Sequence, residues 1–111
     1  MSELPNQPNK LVPVFKVFTA SEWQEFKASG TFAGNAADVA DGYIHLSKKS
    51  QLQRVIGKYY KDAGVIVGAE FADPEFLQKL KWEPASNGDL YPHLYGEGLK
   101  HSCMQSFKFG M

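Results

Sequence analysis

Two five-residue segments, Tyr43–Ser47 and Tyr91–Tyr95, place a histidine between side chains that carry hydroxyl groups. Side chains alternate between the two faces of a strand. One face of each strand therefore carries the polar and aromatic side chains, which are Tyr43, His45 and Ser47 in the first strand and Tyr91, His93 and Tyr95 in the second. The aliphatic residues between them point to the core. Flat aromatic rings beside imidazoles suit the binding of a nucleobase, a nicotinamide or a sugar phosphate. We expect the two segments to form one pocket.

Paired histidines could also carry out acid–base chemistry on a phosphodiester. Two-histidine phosphoesterases use a pair of His-apolar-Ser/Thr motifs, with one histidine as the base and the other as the acid. His45-Leu46-Ser47 fits this motif, whereas His93-Leu94-Tyr95 departs from it at the third position. A two-histidine phosphodiesterase-like hydrolase is therefore one alternative that the sequence leaves open.

Metal binding is a further alternative, with Glu83 joining His45 and His93 as a third ligand. These residues lack the short local spacing, such as i and i+4 on one helix, that is typical of a metal site. The single cysteine, Cys103, excludes an internal disulfide and zinc sites that need several thiolates. The sequence therefore predicts no metal, and Cys103 is interpreted as a small packing residue.

A second helix is predicted after Ser47, and its start could hold an anion. Lys48 and Lys49 lie there, and the free N–H groups of a helix N-terminus attract negative charge. Ser47 and these lysines are therefore candidates for binding a phosphate. The helix carries further basic residues, which we interpret as a solvated face: Arg54, Lys58 and Lys61.

The composition is that of one small globular domain. The chain has 111 residues, and 12 basic side chains balance 12 acidic ones. This zero net charge argues against nucleic-acid binding, which needs a basic surface. The longest apolar run, Val65–Ala69, is too short to cross a membrane, and no signal-peptide pattern is present at the N-terminus. We expect a cytoplasmic protein with a polar tail at 1–10 and a single domain at 11–111.

Hydrophobic periodicity predicts an α+β fold, in which two main helices pack on a bent, mostly antiparallel sheet. Ser21 and Gln24 have the spacing of a capping box that begins the first helix, and Gly30 ends it. The second helix follows an apolar stripe formed by Leu52, Val55, Ile56, Tyr59 and Tyr60. Strands are predicted at 14–19, 43–47, 65–71, 80–84, 91–95 and 102–109, with a helical turn at 73–75 and a tight turn at 87–88.

Four blocks of this sequence resemble domain-of-unknown-function family 952. They are Asp41–Ser47, the following Gln51, the Trp82-Glu83 pair and Tyr91–Gly96. Members of the family are small and have similar DG-aromatic-IHLS and FPHLYG blocks. Tyr43 and Tyr91 stand where phenylalanine is commoner. The resemblance extends from about residue 14 to residue 107.

The resemblance implies a fold similar to that of the ADP-ribosyltransferases, which hold NAD in a cleft between bent sheets. It implies that His45 and Ser47 contact a ribose and that one of the tyrosines stacks on a ring. Glu83 is the candidate for the carboxylate that many transferases need. The set of site residues expected from the blocks and from the residue types is as follows: His45, His93 and Glu83 for catalysis, and Tyr43, Ser47, Lys48, Gln51, Tyr91 and Tyr95 for binding.

Two functional classes follow from this set. One is an enzyme that binds NAD or an ADP-ribose-like nucleotide and carries out glycosyl-transfer chemistry. The other is a non-enzymatic ligand-binding or interaction module on an enzyme-like scaffold. In both classes the partner is a small nucleotide-like molecule, and neither nucleic acid nor a membrane is expected to bind.

Overall fold

The computed structural model describes residues 12–109, which form an α+β fold whose paired strands are all antiparallel. The predicted tail at 1–10 lies outside the described residues. The strands are β1 (Val14–Thr19), β2 (Thr31–Phe32), β3 (Ile44–His45), β4 (Ser47–Lys48), β5 (Ile66–Phe71), β6 (Lys81–Pro84), β7 (Leu90–Leu94), β8 (Leu99–Lys100) and β9 (Met104–Phe109). The α-helices are α1 (Ala20–Ser29), α2 (Ala36–Asp41), α3 (Leu52–Val55) and α4 (Pro74–Leu77).

A four-stranded sheet in the order β4-β1-β5-β9 forms the centre of the fold. The predicted strand at 65–71 is confirmed as β5, which pairs with β1 along its whole length and with β9 on the other side. Its residues are almost all buried, as expected for an apolar run covered on both faces. Val65 precedes the strand and is 60% exposed.

A three-stranded sheet in the order β3-β7-β6 carries the second histidine segment. The Asn87-Gly88 turn joins β6 to β7, and the amide of Gly88 donates to the carbonyl of Ala85 at 2.9 Å. The predicted single strand at 43–47 is wrong, because it divides at Leu46 into β3 and β4. β3 pairs with β7, whereas β4 pairs with β1 in the other sheet. The chain therefore crosses between the two sheets at Leu46.

The capping box of helix α1 lies two residues earlier than the sequence predicts. The capping box is formed by Thr19 and Glu22, not by Ser21 and Gln24. The Thr19 hydroxyl accepts the amide of Glu22, and the Glu22 carboxylate accepts the amide of Thr19. Gly30 ends the helix in the left-handed conformation, as predicted, with φ of 81°.

The predicted second helix is irregular. A 3₁₀ turn at Lys49–Gln51 leads into α3, and a π-helical segment at Ile56–Tyr60 follows. At the start of this segment the amide oxygen of Gln51 accepts the N–H of Lys48 at 2.9 Å. The apolar stripe is wrong at Tyr59, whose side chain is 67% exposed. The wider π turn changes the angular position of the last residues of the stripe.

The main core lies where α1, β1, β5 and β7 meet. Phe18, Trp23 and Phe26 are fully buried there, and the rings of Phe18 and Phe26 stack at 5.1 Å. A smaller cluster, defined by Val17, Leu52 and Ile66, holds α3 against the central sheet. No helix within residues 12–109 is long and apolar enough to cross a membrane.

Candidate functional site

A cavity of about 720 Å³ brings together most of the residues in which the sequence predicts chemistry. His45, His93, Tyr43, Tyr91 and Ser47 all line it. The two histidine segments therefore open onto one cavity, as the alternation of their side chains predicts. Ligand pockets are usually of this size, with a mostly apolar wall and a few polar groups.

The two histidines are direct neighbours across a pair of strands. The register of β3 and β7 places His45 opposite His93, and their ring centroids are 5.5 Å apart with nearly perpendicular planes. The ring of Tyr43 stacks on that of His93 at 4.0 Å and lies 4.7 Å from that of His45. Both imidazoles are thereby fixed in orientation at one wall of the cavity.

His45 is held by two carboxylates, one on each ring nitrogen. Its Nδ1 lies 2.6 Å from Oδ1 of Asp38, and its Nε2 lies 2.9 Å from Oδ2 of Asp41. Ionised carboxylates only accept hydrogen bonds, so both ring nitrogens must donate. Only the protonated imidazolium has a hydrogen on each nitrogen. Hydrogen bonds from both ring nitrogens at the same time therefore require the protonated ring.

Asp38 is positioned by a short helix and a tight turn. It forms a capping box with Asn35 at the start of α2, and each residue's side chain accepts the other's amide at 2.9 Å. Gly42 ends α2 with φ of 85°, a left-handed conformation that lets the chain reverse toward β3. The reversal brings Asp38 against the backbone and the ring of His45, seven residues later.

A buried lysine completes the network around Asp38. Nζ of Lys16 lies 3.0 Å from Oδ2 of Asp38 and donates to the carbonyl of His45 at 3.0 Å. Lys16 and Asp38 are only 4% and 2% exposed. Burial lowers the pKa of Lys16, and the carboxylate of Asp38 offsets part of that effect. The two groups depend on each other, because a single charge left alone in this interior is far more costly than the pair.

Asp38 stays ionised although it is buried. Burial alone raises the pKa of a carboxyl group, but the hydrogen bond from His45 and the charge of Lys16 outweigh it and lower the pKa of Asp38 to about 2. Amide hydrogen bonds from Asn35 and His45 act in the same direction. The Asp38 carboxylate is thus a permanent negative charge beside Nδ1 of His45.

His93 has a different environment. Its Nδ1 lies 2.6 Å from Oε1 of Glu83, which also accepts the hydroxyl of Tyr95 at 2.7 Å. Burial lowers the pKa of His93, although the Glu83 carboxylate raises it in part. Burial therefore favours the neutral ring, in which the proton lies on Nδ1 toward the Glu83 carboxylate. Among the side chains of residues 12–104, none bonds to Nε2, which remains able to accept a proton or a hydrogen bond.

Four of the predicted site residues lie outside the lining of this cavity. Glu83 and Tyr95 sit behind His93, where the carboxylate orients the imidazole. Lys48 is also outside the lining. Gln51 is buried, and its side chain forms hydrogen bonds with the backbone. Its amide oxygen accepts the Lys48 N–H, and its amide nitrogen donates to the carbonyl of Leu90 at 2.8 Å. A direct role of these four residues in binding stays a prediction.

Sequence reasoning missed the charged residues that surround the histidines. Lys16, Asp38 and Asp41 line the cavity, as do Arg54 and Lys58 on the opposite helix. The capping-box spacing of Asn35 and Asp38 is the sequence signal for the helix that positions Asp38. Arg54 and Lys58 were interpreted as a solvated face. Within the described part of the chain, no group of three or more His, Cys, Asp or Glu side chains is arranged to hold a metal ion.

Comparisons with known proteins place this chain among small α+β proteins. A family model described as "Protein of unknown function (DUF952)" matches residues 17–105. The crystal structure of protein CC0527 from Caulobacter crescentus has 32% sequence identity and a TM-score of 0.78, over 88% of this chain and 85% of that one. Its solution NMR structure has 34% identity and a TM-score of 0.73, over 86% and 82%. No curated protein matches this chain. The likeness to ADP-ribosyltransferases stays an implication of the family resemblance.

Proposed function

This chain belongs to the family described as "Protein of unknown function (DUF952)", and we propose that it is an enzyme in which His45 and His93 act as a general acid and a general base. The substrate is a small nucleotide-like molecule bound in the 720 Å³ cavity. The reaction is the cleavage of a phosphate ester of that molecule.

The observation that carries this proposal is the contrast between two neighbouring imidazoles. His45 lies between the carboxylates of Asp38 and Asp41, which stabilise its protonated form. His93 is buried and neutral, with Nε2 free to accept a proton. Environments that separate the protonation states of two close titratable groups are typical of acid–base pairs in active sites.

Besides the substrate, water is the only reactant that this reaction needs. Nε2 of His93 removes a proton from water, whose oxygen forms a bond to phosphorus. The ester P–O bond breaks, and the leaving oxygen takes the proton from Nε2 of His45 after that nitrogen has left Asp41. His93 then carries the extra proton and His45 has lost one, and exchange with solvent restores both. Asp41 is half exposed, so this exchange requires no opening of the core.

A nucleotide-like ligand fits the aromatic wall of the cavity. Tyr43 is already stacked on His93, whereas Tyr91 lines the cavity without a ring contact within the described residues. We therefore assign the flat ring of the ligand to Tyr91. NAD and ADP-ribose remain members of this ligand class. Glu83, the candidate carboxylate for glycosyl transfer, is engaged by His93 and Tyr95 outside the lining, which favours phosphate-ester chemistry over transfer.

The test is an activity assay with two probes, 2′,3′-cyclic AMP and bis(p-nitrophenyl) phosphate, with NAD as a third. Rates are measured across pH for the wild type, His45→Ala and His93→Ala. We expect a bell-shaped profile in the wild type, and a loss of about 10²–10⁴-fold in each variant, as is usual for a general acid or base. Each variant is expected to lose one limb of the bell.

The matched control is His101→Asn, which removes the remaining histidine of the chain. His101 packs 5.3 Å from the ring of Phe26 and lies outside the lining of the cavity, so its loss should leave the rate within about twofold. Equal losses in all three variants would contradict the proposal. Tight binding of a probe with no turnover in the wild type would instead support a non-enzymatic binding module.

A further inference from the structure

The helical segment that faces the histidines presents a basic and aromatic surface to the cavity. Arg54, Lys58 and Tyr59 all line it, and we call these three residues the basic wall. Arg54 and Lys58 are separated by four positions on consecutive turns, so their side chains emerge from one side of the segment. Nζ of Lys58 lies 5.2 Å from the ring centre of Tyr59.

The basic wall is held in place by its own small core. Leu52 packs with Val17 and Ile66, and Ile56 packs against this cluster. The hydroxyl of Tyr60 donates to the carbonyl of Val17 at 3.1 Å, which ties the end of the segment to β1. The apolar side of the segment is therefore fixed on the sheet, and the cationic side is fixed toward the cavity.

The backbone of the wall is itself unusual. Residues Ile56–Tyr60 form a π-helical turn, a conformation that is rare and that occurs frequently at functional sites. The turn leaves Tyr59 67% exposed instead of packing it in the predicted apolar stripe. An exposed aromatic ring beside two cations is a surface that suits a phosphorylated ring compound.

The two cations of the wall have no ion-pair partner among the side chains of residues 12–104. Lys16, which lines the same cavity, is in contrast paired with Asp38. Two unpaired cations that share a cavity wall favour an anionic ligand. Arginine is well suited to phosphate, because its planar guanidinium can donate two parallel hydrogen bonds.

We infer that the basic wall binds the phosphate groups of the ligand, so that the substrate class is a nucleoside phosphate whose anionic end points away from Lys48 and Lys49. This inference rests on the proposed function, and it moves the expected anion site from the start of the helix to its cavity-facing side. Arg54 and Lys58 thereby determine specificity through binding, and they take no part in proton transfer.

The experiment compares the binding of ADP and adenosine by calorimetry and NMR titration at low salt. The wild type is expected to bind ADP at least about tenfold more tightly than adenosine. In R54Q/K58Q this preference should disappear through weaker ADP binding, with adenosine binding unchanged. The matched control K48Q/K49Q removes the same charge from the start of the same helix, outside the cavity, and should keep the preference.

Equal affinity for ADP and adenosine in the wild type, or no ADP binding at millimolar concentration, would overturn the inference. An equal loss in K48Q/K49Q would also overturn it, because the effect would then come from overall charge. H45A/H93A separates this inference from the proposed function. If that variant binds ADP normally while the wild type turns over no phosphate ester, the basic wall stands and the acid–base proposal fails.

Discussion

The two sides of the histidine pair differ in how the protein treats charge. On the His45 side, a buried lysine and a buried aspartate form a network in which the groups are charged and closely bonded. On the His93 side, the imidazole is buried, while its partner Glu83 is about one third exposed and also contacts Tyr95. The same residue type thus has a carboxylate on each ring nitrogen at one position and on a single ring nitrogen at the other.

The carboxylate beside a histidine therefore does not by itself fix the charge of the ring. Both rings have a carboxylate oxygen 2.6 Å from Nδ1. His45 has a second carboxylate on Nε2 and is 37% exposed, whereas His93 is nearly buried under Tyr43. The solvent exposure of the ring and the group bonded to Nε2 therefore decide the protonation state of each histidine.

The largest expected effect comes from Asp38→Asn. This change leaves the buried ammonium of Lys16 without its countercharge, and removing one partner of a buried pair costs about 3–5 kcal/mol of unfolding free energy. Urea denaturation measures the loss. Asp41→Asn is the control on the exposed side of His45, where we expect a change within about 0.5 kcal/mol. A loss below about 1 kcal/mol for Asp38→Asn would show that the network does not stabilise the fold.

Acid should weaken the same network in a defined range. The pKa of Asp38 is lowered from 3.8 to about 2 in the folded state. A carboxyl group with a lowered pKa stabilises the fold above its unfolded value, and this contribution is lost as pH falls toward the folded value. We expect about 2 kcal/mol of stability to disappear between about pH 4 and pH 2. Asp38→Asn should lack this part of the pH dependence, and an unchanged slope in that variant would contradict the assignment.

A smaller effect is expected on the other side of the pair, from Glu83→Gln. The Glu83 carboxylate raises the pKa of His93 against the effect of burial, so its removal should lower that pKa further. Stability should change by less than about 1 kcal/mol, because Glu83 is partly solvated. NMR titration of the imidazole measures the shift. Glu97→Gln, on an exposed ion pair with Lys79, is the control and should leave the titration of His93 unchanged.

The smallest effect is expected from Tyr95→Phe. The Glu83 carboxylate accepts the phenol hydrogen and raises the pKa of Tyr95 to about 12. Removal of this hydroxyl should raise the pKa of Glu83, because a hydrogen bond that stabilises its ionised form is lost. Ultraviolet titration should show one fewer tyrosine that ionises near pH 12. A lower pKa for Glu83 in the variant would contradict the bond.

Local sequence patterns were sufficient for most strands and for the placing of both histidines at one cavity. β5 follows from a continuous apolar run, and the β6–β7 hairpin follows from Asn87-Gly88. The alternation within Tyr91–Tyr95 predicts that His93 faces the cavity, and the structure leaves only 7% of this residue exposed. These features depend on neighbours within a few residues, which a sequence pattern can record.

The charged network depended on contacts that no local pattern records. Lys16 and Asp38 are 22 residues apart and meet only because β1 and α2 pack together. The opposition of His45 and His93 requires the register of two strands 48 positions apart in sequence. The division of the chain at Leu46 followed from competition between two sheets for the same segment. Such choices are made by tertiary packing and not by propensity.

The central claim is that His45 and His93 differ in protonation, and it is tested most directly by NMR of the imidazole nitrogens in labelled protein at pH 7. We expect N–H protons on both ring nitrogens of His45 and on Nδ1 alone of His93. The two rings are distinguished through their cross-strand contacts with each other and with Tyr43. If both histidines have the same protonation state, or if His93 is the cation, the assignment of acid and base is contradicted.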